Sequence, residues 1–163
     1  MSATRDAATG PAARPRSPGR AAARRAAIFV ALFAVLSAPA GADNSRTNYL
    51  LHCSGCHGFD GSGAPAAGVP SMKGAIGHFL RTPDGRAFLV QVPGTANSAL
   101  GDADVATLLN WIVTTMSPGE IPAEFRPYTT AEVTRLRSNR PVDIPATRER
   151  IVRELQALGY TVR

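Results

Sequence analysis

Cys53-Ser54-Gly55-Cys56-His57 is the cluster in this 163-residue chain whose residue types and spacing carry chemistry. The chain's two cysteines stand three apart, and a histidine follows at once. Such spacing puts both thiols on one side of a helical turn. From there they reach the two vinyl groups of one porphyrin, and the next imidazole meets the iron as proximal ligand. C-x-x-C-H is the spacing of c-type haem attachment. Two thioethers retain a cofactor that a small domain would otherwise lose, and the ring is a flat apolar mass for the chain to pack around. A thioredoxin-like redox pair needs a βαβ context, and none is visible. A four-cysteine zinc site needs two more thiols.

The elements that must position this cluster read as helices. A first helix over 45–57, capped by Asn44 or Ser45, places Tyr49, Leu50 and Cys53 on one face. Gly58 ends it. Residues 58–77, rich in glycine and holding Pro65 and Pro70, predict a loop. Residues 86–92 suit a strand or a short helix, and Pro93-Gly94 ends either. Asp102 to Met116 is the clearest helix. Asp102 stands as N-cap, and Val105, Leu108, Leu109, Ile112 and Met116 form one apolar stripe. Trp111 and Val113 broaden that stripe, and Ser117-Pro118-Gly119 ends the helix. Thr129 and Glu132 make a capping box before a helix to about Ser138. A last helix over 146–158 turns Ile151, Val152, Leu155 and Leu158 inward and stops at Gly159. The expected fold is all-α.

The net charge of +6 does not describe the folded part. Arg5, Arg14, Arg16, Arg20, Arg24 and Arg25, against Asp6 alone, supply +5 of it before residue 43. The near-neutral remainder gives no reason to expect a nucleic-acid partner. The basic stretch leads into an apolar run, Ala26 to Leu36, and then small residues at Ala40 and Ala42. That is a secretory signal peptide over 1–42, with cleavage after Ala42 and export to the periplasm. The run is short for a bilayer span, and a membrane role requires an uncleaved signal. The expected organisation is a cytochrome c core over 43–116 and a helical extension over 117–163 packed on the same domain.

From Asn48 to Met116 the sequence resembles a bacterial class I c-type cytochrome. The resemblance rests on Cys53-Ser54-Gly55-Cys56-His57, on Gly58-Phe59-Asp60-Gly61-Ser62-Gly63, and on Pro70-Ser71-Met72-Lys73-Gly74. The last segment looks like the family's P-x-L-x-G, whose proline region packs over the proximal histidine. The resemblance implies a class I cytochrome c-like fold with three core helices around one covalent haem c and its iron. It assigns Cys53 and Cys56 to the thioethers and His57 to the proximal ligand. A methionine as sixth ligand is usual in the family, just before the helix that here starts at Asp102. Val92-Pro93 stands there instead, and valine cannot ligate.

Met116 is the sixth ligand this reading adopts, with Met72 or His78 as alternatives; His52, next to Cys53, is poorly placed for the far face. An iron with no second protein ligand would bind a gas or peroxide. Lys73, Arg81 and Arg86 are solvated or pair with a propionate. Trp111 packs in the core or touches the haem. Arg135, Arg137 and Arg140 are solvated or dock an acidic partner.

The function expected is single-electron transfer in the periplasm, without enzymatic turnover of its own. The chain would be a carrier or the cytochrome subunit of an exported dehydrogenase, with redox proteins as partners. The rival is a five-coordinate haem enzyme or gas-binding sensor.

Overall fold

The computed structural model describes residues 41–162. The signal peptide expected over 1–42 lies, apart from its last two residues, outside the described residues. No helix among them is long and apolar enough to cross a membrane. They form an all-helical fold without strands, consistent with a class I cytochrome c-like architecture. One isolated antiparallel bridge joins Ala64 and Val69.

Helix α1 runs over Gly41–His52 and α2 over Ser54–His57. The single helix expected over 45–57 is therefore broken at Cys53, whose φ of −126° leaves the helical range. Hydrogen bonds carry on across the break, from Cys53 N–H to the Tyr49 carbonyl (2.9 Å) and from His57 N–H to the Cys53 carbonyl (3.0 Å). The chain is already helical at Gly41, so neither Asn44 nor Ser45 caps α1. Ser45 is buried inside it instead.

The loop expected over 58–77 contains a 3-10 turn at Pro65–Ala67, and a second 3-10 stretch, Ile76–Arg81, begins inside it. The second turn buries Ile76 and Phe79, one 3-10 turn apart on a single side. The ambiguous segment 86–92 is helical. It belongs to α3, Pro83–Gln91, where Thr82 caps by accepting from Gly85 N–H and Pro83 sits in the first turn. A single turn, α4, follows at Pro93–Ala96.

Helix α5 spans Asp102–Met116 as the period demands, with Val105, Leu108, Leu109, Ile112, Val113 and Met116 buried. Its N-cap is Gly101, not Asp102. The Asp102 carboxylate faces sideways, accepting from the Thr134 hydroxyl (2.5 Å) and pairing with Arg137 (2.7 Å). Helix α6, Thr130–Arg137, opens with the Thr129 cap the sequence announces. Helix α7 covers Ile144–Ala157, two residues earlier than the pattern suggests, because Asp143 caps it by accepting from Ala146 N–H (2.9 Å). Leu158 is exposed at its end and does not turn inward.

One core joins the early and late elements. Tyr49, Phe79, Phe88, Val105 and Val113 share a cluster with Tyr128, Val133, Ile151, Leu155 and Val162. Helix α1 packs on α5, and the Tyr49 ring lies 5.7 Å from that of Trp111. Trp111 thus meets Tyr49 in the core and does not border the cavity described below.

Arg86 forms a two-pronged pair with Glu132, at 2.7 and 2.8 Å, and its guanidinium lies 4.0 Å from the Tyr128 ring centre. This pair is mostly sheltered from solvent, so it is worth more than an ordinary surface bridge. Hydrogen bonding to Arg86 holds the Glu132 carboxyl below its ordinary value of 4.5. A depressed carboxyl stabilises the fold fully above the unfolded value, and the stabilisation is lost as pH falls through the folded value. The parent protein should therefore lose stability more steeply than Glu132→Gln on acidification from pH 5, as read from urea midpoints. At neutral pH the variant should be less stable by about 1.5–3 kcal/mol. Equal pH slopes would show that the pair contributes nothing.

Candidate haem site

The break at Cys53 and the turn of α2 bring Cys53, Cys56 and His57 to the edge of one cavity of about 700 Å³. The three sequence-designated residues of C-x-x-C-H therefore all border the same space. Both thiols are free; Cys53 is half-buried and Cys56 exposed. Burial, with Cys56 close by, pushes the Cys53 thiol up to about 11 and keeps it protonated at neutral pH. The Tyr49 hydroxyl donates to the Gly58 carbonyl (2.6 Å), so a buried α1 side chain anchors the segment just after the motif.

One wall of the cavity belongs to the loop that follows His57. Gly63 N–H donates to the His57 carbonyl and Met72 N–H to the Gly61 carbonyl, each at 2.8 Å. These bonds lay Val69, Pro70 and Met72 beside His57. Gly63 permits this approach: its φ is +72°, and a Cβ there would sit 2.6 Å from the Val69 and Pro70 carbonyl oxygens. Burial lowers the His57 imidazole, and the Pro70 carbonyl acts in the opposite direction. The approach falls short of a hydrogen bond, because Nδ1 of His57 is buried with no partner.

The floor is apolar, with Phe79, Phe88, Leu108 and Ile112 among its residues. The other wall combines Val92 to Thr95, Ser98, and the first turns of α7 at Ile144, Pro145, Arg148 and Glu149. Arg148 escaped the reading of the sequence. Its signal was present: Ile144, Arg148, Ile151 and Leu155 fall at i, i+4, i+7 and i+11, one helical face. Burial lowers the Arg148 guanidinium from its ordinary value.

The candidate sixth ligands are scattered. Met72 borders the cavity on the His57 wall. Met116, the adopted candidate, does not border it. Its sulfur packs on Gly61, and its carbonyl accepts from Gly74 N–H (3.2 Å). His78 also lies outside the cavity, its ring 5.1 Å from that of Tyr160. His52 is exposed at the rim beside Cys53. Of the basic residues expected to be solvated or to meet a propionate, Lys73 stays exposed, and Arg81 and Arg86 turn to protein partners. Lys73 pairs with Asp60 (2.9 Å), Arg81 donates to the Glu120 carbonyl (3.0 Å), and Arg86 binds Glu132.

The residues present fit a covalent haem. The cavity is apolar and of the size that cofactor sites have, about 300–1,000 Å³. Two thiols stand at one end. The buried Nδ1 of His57 has no hydrogen-bond partner and lies near the Pro70 carbonyl, the kind of acceptor that fixes a metal-bound histidine with its other nitrogen towards the metal.

An all-helical fold around a C-x-x-C-H cavity is consistent with a c-type cytochrome. Comparison with known proteins points the same way. The chain is 28% identical over 134 residues to a cytochrome c-552 of Thermus thermophilus, across 70% of this chain and 88% of that protein. A second cytochrome c-552 of Thermus thermophilus is 28% identical over 119 residues, across 61% and 90%. No family model matches the chain. These similarities support a c-type cytochrome working in electron transfer.

Proposed function

We propose that this chain is an exported, monohaem c-type cytochrome that passes single electrons in the periplasm. It would serve as a carrier or as the cytochrome subunit of an exported dehydrogenase. The observation that carries the reading is the convergence of Cys53, Cys56 and His57 on one apolar cavity. Cys53 and Cys56 would form the thioethers, and His57 would ligate the iron. The haem supplies a one-electron ferric–ferrous couple when bound. The chain's own residues orient the ligand, through Pro70 at His57, and exclude water, through the apolar floor. Cys56 is exposed, so the thioether edge of the site lies near the surface, where a redox partner can approach.

The test is expression of the full chain in a host that attaches haem c. The expected protein keeps one haem per chain after denaturation and titrates reversibly with a one-electron slope. A periplasmic fraction should hold it in a form shortened by the signal peptide. A haem lost on denaturation, or a couple that does not cycle, would overturn the proposal.

A further inference from the structure

Every histidine, methionine and lysine among the described residues can be placed. The sequence has three histidines, three methionines and a single lysine, Lys73. Met1 lies outside the described residues, at the start of the expected signal peptide. Met72 follows Pro70, whose carbonyl approaches His57, and its backbone is bonded to Gly61, so it lies on the His57 side of the cavity, whereas a second ligand would have to come from the opposite side. Met116 and His78 are packed elsewhere, on Gly61 and against Tyr160. His52 sits at the thioether end, and Lys73 is tied to Asp60 away from the cavity. Glu149 is the one carboxylate on the far wall; it is exposed and pairs with Arg153 one turn on (3.7 Å). The rest of that wall is Val92, Pro93, Gly94, Thr95, Ser98, Ile144, Pro145 and Arg148, none of which is an ordinary haem-iron ligand.

This wall is also well braced. Arg137 holds the carbonyls of Ala96, Ser98 and Leu100, and α7 packs on α3 and on the Ile76–Arg81 turn.

We infer that the chain gives its haem iron one protein ligand, His57, and that the Val92–Ser98 and α7 wall admits a small diatomic π-acceptor such as carbon monoxide or nitric oxide. The inference rests on the haem assignment proposed above. The ligand would donate its lone pair to ferrous iron; no bond in the chain breaks, and no electron is transferred. Arg148 borders the space where it would sit.

The experiment uses the full-length holoprotein, reduced with dithionite and exposed to carbon monoxide. The expected ferric spectrum is high-spin, and the reduced Soret band should shift on mixing with the gas. Met116→Leu and His78→Gln should each leave both spectra unchanged, and Met72→Leu, which alters the cavity lining, should still take up carbon monoxide. A low-spin iron that ignores carbon monoxide would overturn the inference, and the variant that restored uptake would name the ligand. That result leaves the electron-transfer reading standing, because the haem is still attached and still cycles. A chain that attaches no haem overturns both.

Discussion

Replacing Cys53 and Cys56 together by alanine is expected to abolish haem retention under denaturing conditions and to cost the chain its cooperative fold. The first effect is chemical, since no thioether can then form. The second follows from size. A chain that never acquires its haem must fold around a largely apolar cavity of about 700 Å³. At ~24 cal/mol per Å³ of residual cavity, the penalty reaches ~17 kcal/mol. That is an upper bound, because the cavity opens to solvent and its walls can collapse. Even a third of it rivals the ~5–15 kcal/mol by which domains are stable. The near-ultraviolet signal of Trp111, packed on Tyr49, should weaken, while much helical signal persists. Each single variant keeps one thioether and should hold its haem on a denaturing gel. A double variant that unfolded as sharply as the parent would show that the cavity is not what the haem fills.

The main helices were legible because their evidence is local. The apolar stripe of α5 and the Thr129–Glu132 cap of α6 need only a periodicity and a few neighbouring residues, and both stand where the sequence puts them. Features decided by distant partners were not legible. The 3-10 turn over Ile76–Arg81 forms where Gly77 N–H meets the buried Ser117 hydroxyl (3.1 Å), forty residues away. A Cβ on Gly77 would come within 2.9 Å of the Ser117 carbonyl oxygen, so glycine is required there for close approach and not for a loop. Met116 is a helix-end methionine beside Pro118-Gly119, which suggests a residue free to swing. Its sulfur instead fills the space a side chain at Gly61 would need. The C-x-x-C-H cluster was legible as a spacing, and the structure adds its surroundings: the Pro70 approach, the bordering Arg148, and the far wall without methionine or histidine.

Arg137→Ala is expected to destabilise the protein by about 1.5–3 kcal/mol, the range for losing a charged hydrogen bond. In sequence Arg137 belongs to a short basic run with Arg135 and Arg140, and such runs are usually solvated. In the structure its guanidinium is mostly covered. Nη1 donates to the Leu100 carbonyl (2.9 Å) and the Asp102 carboxylate (2.7 Å), and Nη2 donates to Ser98 (2.9 Å) and Ala96 (3.1 Å). One planar fork thus ties α6 to the whole segment that leads from the far cavity wall into α5. Alanine leaves three carbonyls and a carboxylate without their donor, and each lost charged hydrogen bond is worth ~1.5–3 kcal/mol. These losses are not additive, because water reaches some of the freed groups. Lysine can keep the Asp102 pair but cannot span three carbonyls, so Arg137→Lys should recover less than half of the loss. Asp102→Asn should be milder than either, since the carbonyl bonds remain. Urea midpoints at constant m would rank the three variants. Amide exchange over residues 96–101 should accelerate in Arg137→Ala before the rest of the fold opens. A variant within about 1 kcal/mol of the parent, in line with an exposed pair, would return Arg137 to the solvated run.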